Sequence, residues 1–121
     1  WALNNVNKPL KNSKILILGL GYKKNVDDMR ESPSVEIIKL LLERESIVDY
    51  SDPFFPEFPK IRKLKFEKKS VNITKNLLVQ YDAVILISDH DSFDYKLIED
   101  ASNLIIDTRG RYQTSDKIIR A

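Results

Sequence analysis

The chain has no cysteine among its 121 residues. That absence excludes a disulfide, a thiolate metal site and a cysteine nucleophile within these residues, and it suits a reducing cytosol. A single histidine means that any metal site would have to be mostly carboxylate. Three glycines and five prolines are too few for a fibrous or low-complexity chain, and 42% hydrophobic with 31% charged residues is the composition of an ordinary globular domain. No apolar run approaches the roughly 18 residues that a membrane span requires. Charge of one sign is scarce as well. Twenty Lys and Arg against 18 Asp and Glu leave +2, which argues for neither nucleic acid nor a membrane as partner.

What is present fits one domain with a continuous core, and the length is too short for a second full one. Residues 1–13, rich in Asn and Lys with Pro9, read as the end of a helix and a linker, and the domain is expected over 14–121. The start at Trp1, with no methionine and no charged leader before a long apolar segment, reads as a fragment without a visible signal peptide.

Ile15 to Leu18, Ala83 to Ile87 and Leu104 to Ile106 are short, unbroken apolar runs rich in β-branched residues. Continuous rather than alternating apolarity suits parallel strands covered on both faces. Ser32 as N-cap and Pro33 at the first helical position predict a helix over Pro33 to Glu45, with Val35, Ile38 and Leu42 on one face. Ile47 to Tyr50 reads as another strand, stopped by Asp52-Pro53. Thr74 and Asp94 are expected to cap two short helices, to about Gln80 and Asp100. Strands alternating with helices predict an α/β fold: a Rossmann-like open parallel sheet with helices on both faces, a three-layer αβα arrangement.

Ligands of such sheets sit beyond the carboxyl ends of the strands. The first strand is followed by Gly19-Leu20-Gly21-Tyr22-Lys23-Lys24 and a loop to Ser32 that carries Asp27, Asp28 and Arg30. The others are followed by Asp52, by Ser88-Asp89-His90-Asp91 and by Thr108-Arg109-Gly110-Arg111. A dinucleotide fingerprint would need a third glycine where Lys24 stands, with the helix starting at once. Instead the loop runs about ten residues, longer than the usual two to six and typical of binding loops. Its cations can hold phosphate, Arg bidentately and Lys as a point charge, or they can be solvated surface charges paired with neighbouring acids.

Other signals read more plainly. Lys60, Arg62, Lys63, Lys65, Lys68 and Lys69, opposed only by Glu67, are expected to be a solvated face, because no nucleic-acid recognition motif accompanies them. His90 among Asp89, Asp91 and Asp94 could serve a metal or a proton transfer; the expected reading is a loop histidine held by its neighbouring carboxylates. Phe54, Phe55 and Phe58 are either an interface patch or loop aromatics packed on the core. A phosphorelay receiver is disfavoured, because no acidic pair follows the first strand.

The run Gly19 to Ser34, "GLGYKKNVDDMRESPS", resembles the opening of the C-terminal domain of the UDP-glucose/GDP-mannose dehydrogenase family. The resemblance continues through "DYSDP" at 49–53, "SDHDSF" at 88–93 and "DTRG" at 107–110, covering 14–112 in the family's order. Within the family, "YSDPFFPEFPKIR" and "DHDSFDYKLIEDASNLIIDTRG" are most similar to the bacterial UDP-N-acetylglucosamine 6-dehydrogenase branch, with mannosamine and glucose branches as alternatives. Ser88 and Gly110 depart from the Thr and Asn of many members.

The resemblance implies a cytoplasmic enzyme of polysaccharide biosynthesis with an upstream NAD-binding domain, a central helical region that makes a homodimer, and this domain for the nucleotide of a UDP-sugar substrate. NAD oxidises the sugar C6 alcohol to a carboxylate in two steps through an upstream cysteine, so no catalytic residue is expected in this chain, which alone would be inactive. The resemblance further implies that Tyr22 and Lys23 contact the UDP-sugar, Lys23 near its pyrophosphate. Arg109 would contact the same substrate, and Arg30 would reach NAD across the cleft. The rival from the residues alone is a non-catalytic Rossmann-like module that binds a partner through 54–58 or 60–69.

Overall fold

The computed structural model describes residues 11–21, 25, 32–61 and 64–120. The run Ile15 to Leu18 is almost wholly buried and forms the centre of β1, Lys14–Leu18. Ser32 caps α1, Pro33–Glu43, by accepting from the Ser34 amide, with Pro33 at a position whose missing amide costs nothing. There follow β2 (Ile47–Ser51), α2 (Lys75–Leu78), β3 (Ala83–Leu86), α3 (Tyr95–Ala101), β4 (Ile105–Asp107) and β5 (Ile118–Arg120). Thr74 and Asp94 cap α2 and α3 as their sequence predicts, through bonds from the amides of Leu77 and Leu97.

The five strands form one parallel sheet in the order β2-β1-β3-β4-β5. The chain steps from β1 outward to β2, then returns past β1 to β3 and onward. Right-handed crossovers in opposite directions place their helices on opposite faces. Accordingly Ile38 and Leu41 of α1 cover the face carrying Ile15, Ile17 and Ile85, whereas Leu78 of α2 and Ile98 of α3 cover Leu16, Leu18 and Leu86. Each such side chain removed from water stabilises the fold by about 2 kcal/mol before entropy is subtracted.

The sheet has one strand more than its sequence pattern predicts. β5 is three residues long, with only Ile118 buried, and it pairs at the edge with β4. α1 also ends at Glu43 rather than Glu45. Glu45 takes φ +63, and the amides of Glu45 and Ser46 turn back to the carbonyls of Leu42 and Leu41. That left-handed stop is one for which glycine is the usual signal, and here a glutamate fills it.

The aromatic connection after β2 stays on the α1 face. Phe58 and Phe66 stack edge to face at 4.9 Å and meet Tyr50 at 5.8 and 6.4 Å, so this part of the cluster is core. The chain then passes along the free edge of β2, where Val71 donates to Tyr50 and Asp52 donates to Ser70 Oγ. That cover protects an otherwise open sheet edge.

Burial pushes the Tyr50 phenol up to about 12, with the charges of Asp52 and Glu57 adding to it. Burial likewise pushes Tyr95 up to about 12, reinforced by Asp89 and opposed by Arg111. The folded chain therefore holds these protons to higher pH than an unfolded one, whose tyrosines release them near 10. Stability is complete below about pH 10 and is lost as pH climbs toward 12. Urea midpoints measured from pH 8 upward should be flat and then fall across that window; a flat line throughout would contradict the burial of these phenols.

Candidate functional site

The switch point of this strand order lies between β1 and β3, where the chain leaves the sheet toward opposite faces. There the turns after β1 and β3 touch. Gly19 takes φ +84, and a Cβ on it would stand 2.5 Å from Ser88 Cβ and 2.7 Å from the Ser88 backbone. The Ser88 hydroxyl donates to the Gly21 carbonyl, drawing the turns together. Gly19 thus serves close approach to a neighbouring strand, not to a pyrophosphate.

From Gly21 the chain enters the long loop that ends at α1, and the loop is closed at its base. The hydroxyls of Ser32 and Ser34 both donate to the Leu20 carbonyl, Ser34 at 2.7 Å. The first turn of α1 is thereby fastened to the end of β1, with the Ser34 amide donating to Ser32 Oγ. Tyr22, Lys23 and Arg30, three of the four expected site residues, lie outside the described residues, as do Lys24, Asp27 and Asp28.

Between them Asn25 is fixed. Its amide donates to His90 Nδ1 at 2.6 Å. Its side chain exchanges two bonds with Asp91, donating to Oδ2 at 2.7 Å and accepting from the Asp91 amide at 3.0 Å. Asn25 takes φ +58, a left-handed backbone that asparagine tolerates better than most residues.

His90 is completely buried. Its holder is not one of the neighbouring acids that the sequence points to but Asp52, at the end of β2, whose Oδ2 lies 3.1 Å from Nε2. The same oxygen accepts from the Leu20 amide at 2.7 Å, and Oδ1 accepts from the Phe54 amide at 2.7 Å. With Nδ1 accepting, the ring proton sits on Nε2 and points at Asp52. The ring lies between Phe54 at 5.1 Å and Phe93 at 5.5 Å. Asp52 and His90 therefore tie together the carboxyl ends of β1, β2 and β3. Among the described residues no group of three or more His, Cys, Asp or Glu side chains could hold a metal ion.

The fourth strand end presents Arg109. Asp107, fully buried, accepts from the amides of Arg109 at 2.9 Å and Tyr112 at 2.8 Å, folding the turn around its own carboxylate. Arg109 Nε then stands 3.6 Å from Asp89 Oδ1, at the end of β3, with its side chain 43% exposed. That oxygen is buried and receives no hydrogen bond among the described residues. Arg111 lies over the Tyr95 ring at 4.1 Å. Gly110 takes φ +70 with nothing nearer to a Cβ than the Arg120 guanidinium at 4.0 Å, a conformation that asparagine also accepts, so the departure at this position preserves the turn.

A hollow of about 640 Å³ opens within the 57–69 excursion, lined by Phe58, Ile61, Phe66 and several lysines. It touches none of the strand ends. A second of about 350 Å³ adjoins them, with Ser51, Pro53, Ser92 and Phe93 in its wall. The smaller cleft, beside convergent polar groups, is the better ligand candidate. Of the basic stretch, Lys68 pairs with Asp49 at 3.3 Å, while Arg62 and Lys63 lie outside the described residues.

Residues 16–114 match the family model described as UDP-glucose/GDP-mannose dehydrogenase family, UDP binding domain. A UDP-N-acetyl-D-mannosamine dehydrogenase of Methanococcus vannielii is 33% identical over 113 residues, covering 87% of this chain and 23% of the relative. An NDP-N-acetyl-D-galactosaminuronic acid dehydrogenase of Ralstonia solanacearum is 32% identical over 118 residues, covering 93% and 27%. A solved UDP-glucose dehydrogenase from the archaeon Pyrobaculum islandicum superposes with a TM-score of 0.64 at 26% identity, covering 98% of this chain and 27% of that one. The chain thus spans about a quarter of the length of these relatives.

Proposed function

Because the chain belongs to the UDP-glucose/GDP-mannose dehydrogenase family, we propose that it is the UDP-sugar-binding domain of an NAD-dependent nucleotide-sugar 6-dehydrogenase. The substrate we assign is a UDP-N-acetylhexosamine, with the glucosamine epimer favoured by the "YSDPFFPEFPKIR" stretch. Relatives named for N-acetylmannosamine and N-acetylgalactosaminuronic acid support the sugar class. In this reading Lys23 neutralises the pyrophosphate, Tyr22 and Arg109 contact the UDP-sugar, and Arg30 reaches NAD held by an upstream domain. The chain contributes fixed cations and the exclusion of water, and the redox step belongs to the cysteine and NAD of the rest of a cytoplasmic homodimeric enzyme.

The observation that carries the reading is the closed loop. Its base is bonded at Leu20, its Asn25 is bonded to His90, and Arg109 stands at the neighbouring strand end. No helix among the described residues is long and apolar enough to cross a membrane.

In the intact enzyme, Lys23→Ala should weaken UDP-sugar binding by about tenfold or more, the scale of one charge-assisted contact, with little effect on NAD. Arg30→Ala should do the reverse. Equal losses for both ligands would sink the role assignment. For the chain itself, titration with UDP should move the amides of residues 19–32 and 107–111; shifts confined to 60–69 on adding a polyanion would favour an interaction module instead.

A further inference from the structure

We propose that Asp89 is a positioning residue for Arg109, holding the guanidinium by its Nε side so that the terminal nitrogens are left for the anionic ligand. The inference rests on the reading that Arg109 contacts the UDP-sugar, and it involves no residue of the loop after β1.

Aspartates stand at or just after three strand ends, and two of them fold turns. Asp52 accepts from the amides of Leu20 and Phe54, and Asp107 from those of Arg109 and Tyr112. Asp89, after β3, is employed differently. Its Oδ1 is buried, receives no hydrogen bond among the described residues, and faces Arg109 Nε at 3.6 Å. At that distance the two groups attract as charges without a hydrogen bond. A buried acceptor left unpaired works against the fold. The use of this carboxylate is therefore the charge it sets against the guanidinium.

The backbone around Arg109 is already fixed. Thr108 donates to the Leu86 carbonyl through its amide at 3.2 Å and its hydroxyl at 2.6 Å, which fastens the turn to the end of β3. The Arg109 amide is bonded to Asp107. What remains free is a long side chain with much rotamer freedom, and among the described residues Asp89 is the group that restrains it. Arg111, two residues on, lies over the Tyr95 ring instead. An arginine held at Nε keeps Nη1 and Nη2 as a two-pronged donor matched to a phosphate, and no acceptor among the described residues takes them.

Asp89→Asn keeps the shape of the side chain and removes its charge. If the carboxylate merely added to the local charge, its loss would make an anion bind more tightly, because it repels one. Positioning predicts the opposite sign. In the intact enzyme, Asp89→Asn should bind UDP about tenfold more weakly by calorimetry, with its melting temperature kept. In the Arg109→Ala background the same change should alter UDP affinity by less than about twofold, since no guanidinium is left to hold. Arg109→Lys keeps a cation at an exposed position but cannot present one donor to Asp89 and a fork to the ligand. It should lose nearly as much UDP affinity as Arg109→Ala.

Tighter or unchanged UDP binding by Asp89→Asn would overturn the proposal, as would losses that simply add in the double variant. Should Asp89→Asn fail to fold, Arg109→Lys decides: UDP affinity equal to that of the unaltered enzyme overturns the proposal, and affinity as low as that of Arg109→Ala sustains it. If Arg109→Ala binds UDP as tightly as the unaltered enzyme, the reading that Arg109 contacts the substrate falls, and this proposal falls with it. A loss in Arg109→Ala with none in Asp89→Asn removes the proposal alone.

Discussion

Replacing Gly19 by alanine should cost the chain about 4 kcal/mol, enough to unfold a domain of ordinary stability or leave it marginal. Two penalties add. The left-handed backbone at φ +84 costs an L residue roughly 1 to 2 kcal/mol. The new methyl would also stand 2.5 Å from Ser88 Cβ and 2.7 Å from the Ser88 amide nitrogen and carbonyl oxygen, atoms held by the sheet, and such overpacking costs about 1 to 3 kcal/mol more. Gly110 is the matched control. At φ +70 it carries the first penalty without the second, because the nearest atoms, those of the Arg120 guanidinium, are 4.0 Å away. Urea unfolding of the two variants should therefore differ by about 2 kcal/mol, and equal costs would mean that the β1 and β3 turns can separate freely.

Asp52→Ala should be nearly as damaging, at about 4 kcal/mol. One buried carboxylate satisfies two buried donors, the Leu20 amide and His90 Nε2, besides the part-buried Phe54 amide, and each buried donor stranded without water costs about 1 to 3 kcal/mol. Asp49, within the strand that Asp52 follows, provides the contrast. It accepts from the Tyr81 hydroxyl at 2.7 Å and meets Lys68, but these partners are part-buried or exposed and can turn to water. Asp49→Ala should cost about 1 kcal/mol. Thermal melts of both variants decide the matter, and similar losses would show that the strand-end network is not buried.

Much of the fold is legible in the sequence because its centre is buried on both faces. Ile15 to Leu18 and Ala83 to Leu86 cannot alternate with polar residues when helices cover either side, and that continuity is visible without coordinates. Ser32-Pro33, Thr74 and Asp94 announce three helix starts, because capping is chemistry between near neighbours. β5 is hidden for the opposite reason. Three residues at an edge, one of them buried, owe their strand conformation to pairing with β4 rather than to local preference. Glu45 conceals the end of α1 because no glycine marks it.

The site divides the same way. Arg109 and the long loop stand out from the sequence, since a charged run after an apolar one and an overlong strand-to-helix connection are local features. The partner of His90 does not, for Asp52 is 38 residues away and only the β2-β1-β3 order brings them together. Nearby Asp89, Asp91 and Asp94 offered a simpler answer. Asn25 gave no signal at all, because its backbone amide, common to every residue, makes the bond to the ring.

The bonds from Ser32 and Ser34 to Leu20 have a consequence for how such a domain diversifies. A loop whose ends are fastened to each other does not hold the strand and helix in place through its own length. Residues gained or lost between Gly21 and Ser32 alter the closure entropy only logarithmically, by about 0.6 kcal/mol for a doubling. The five-stranded platform can then stay constant while the length between Gly21 and Ser32 varies, so that insertion and deletion there need not renegotiate the core.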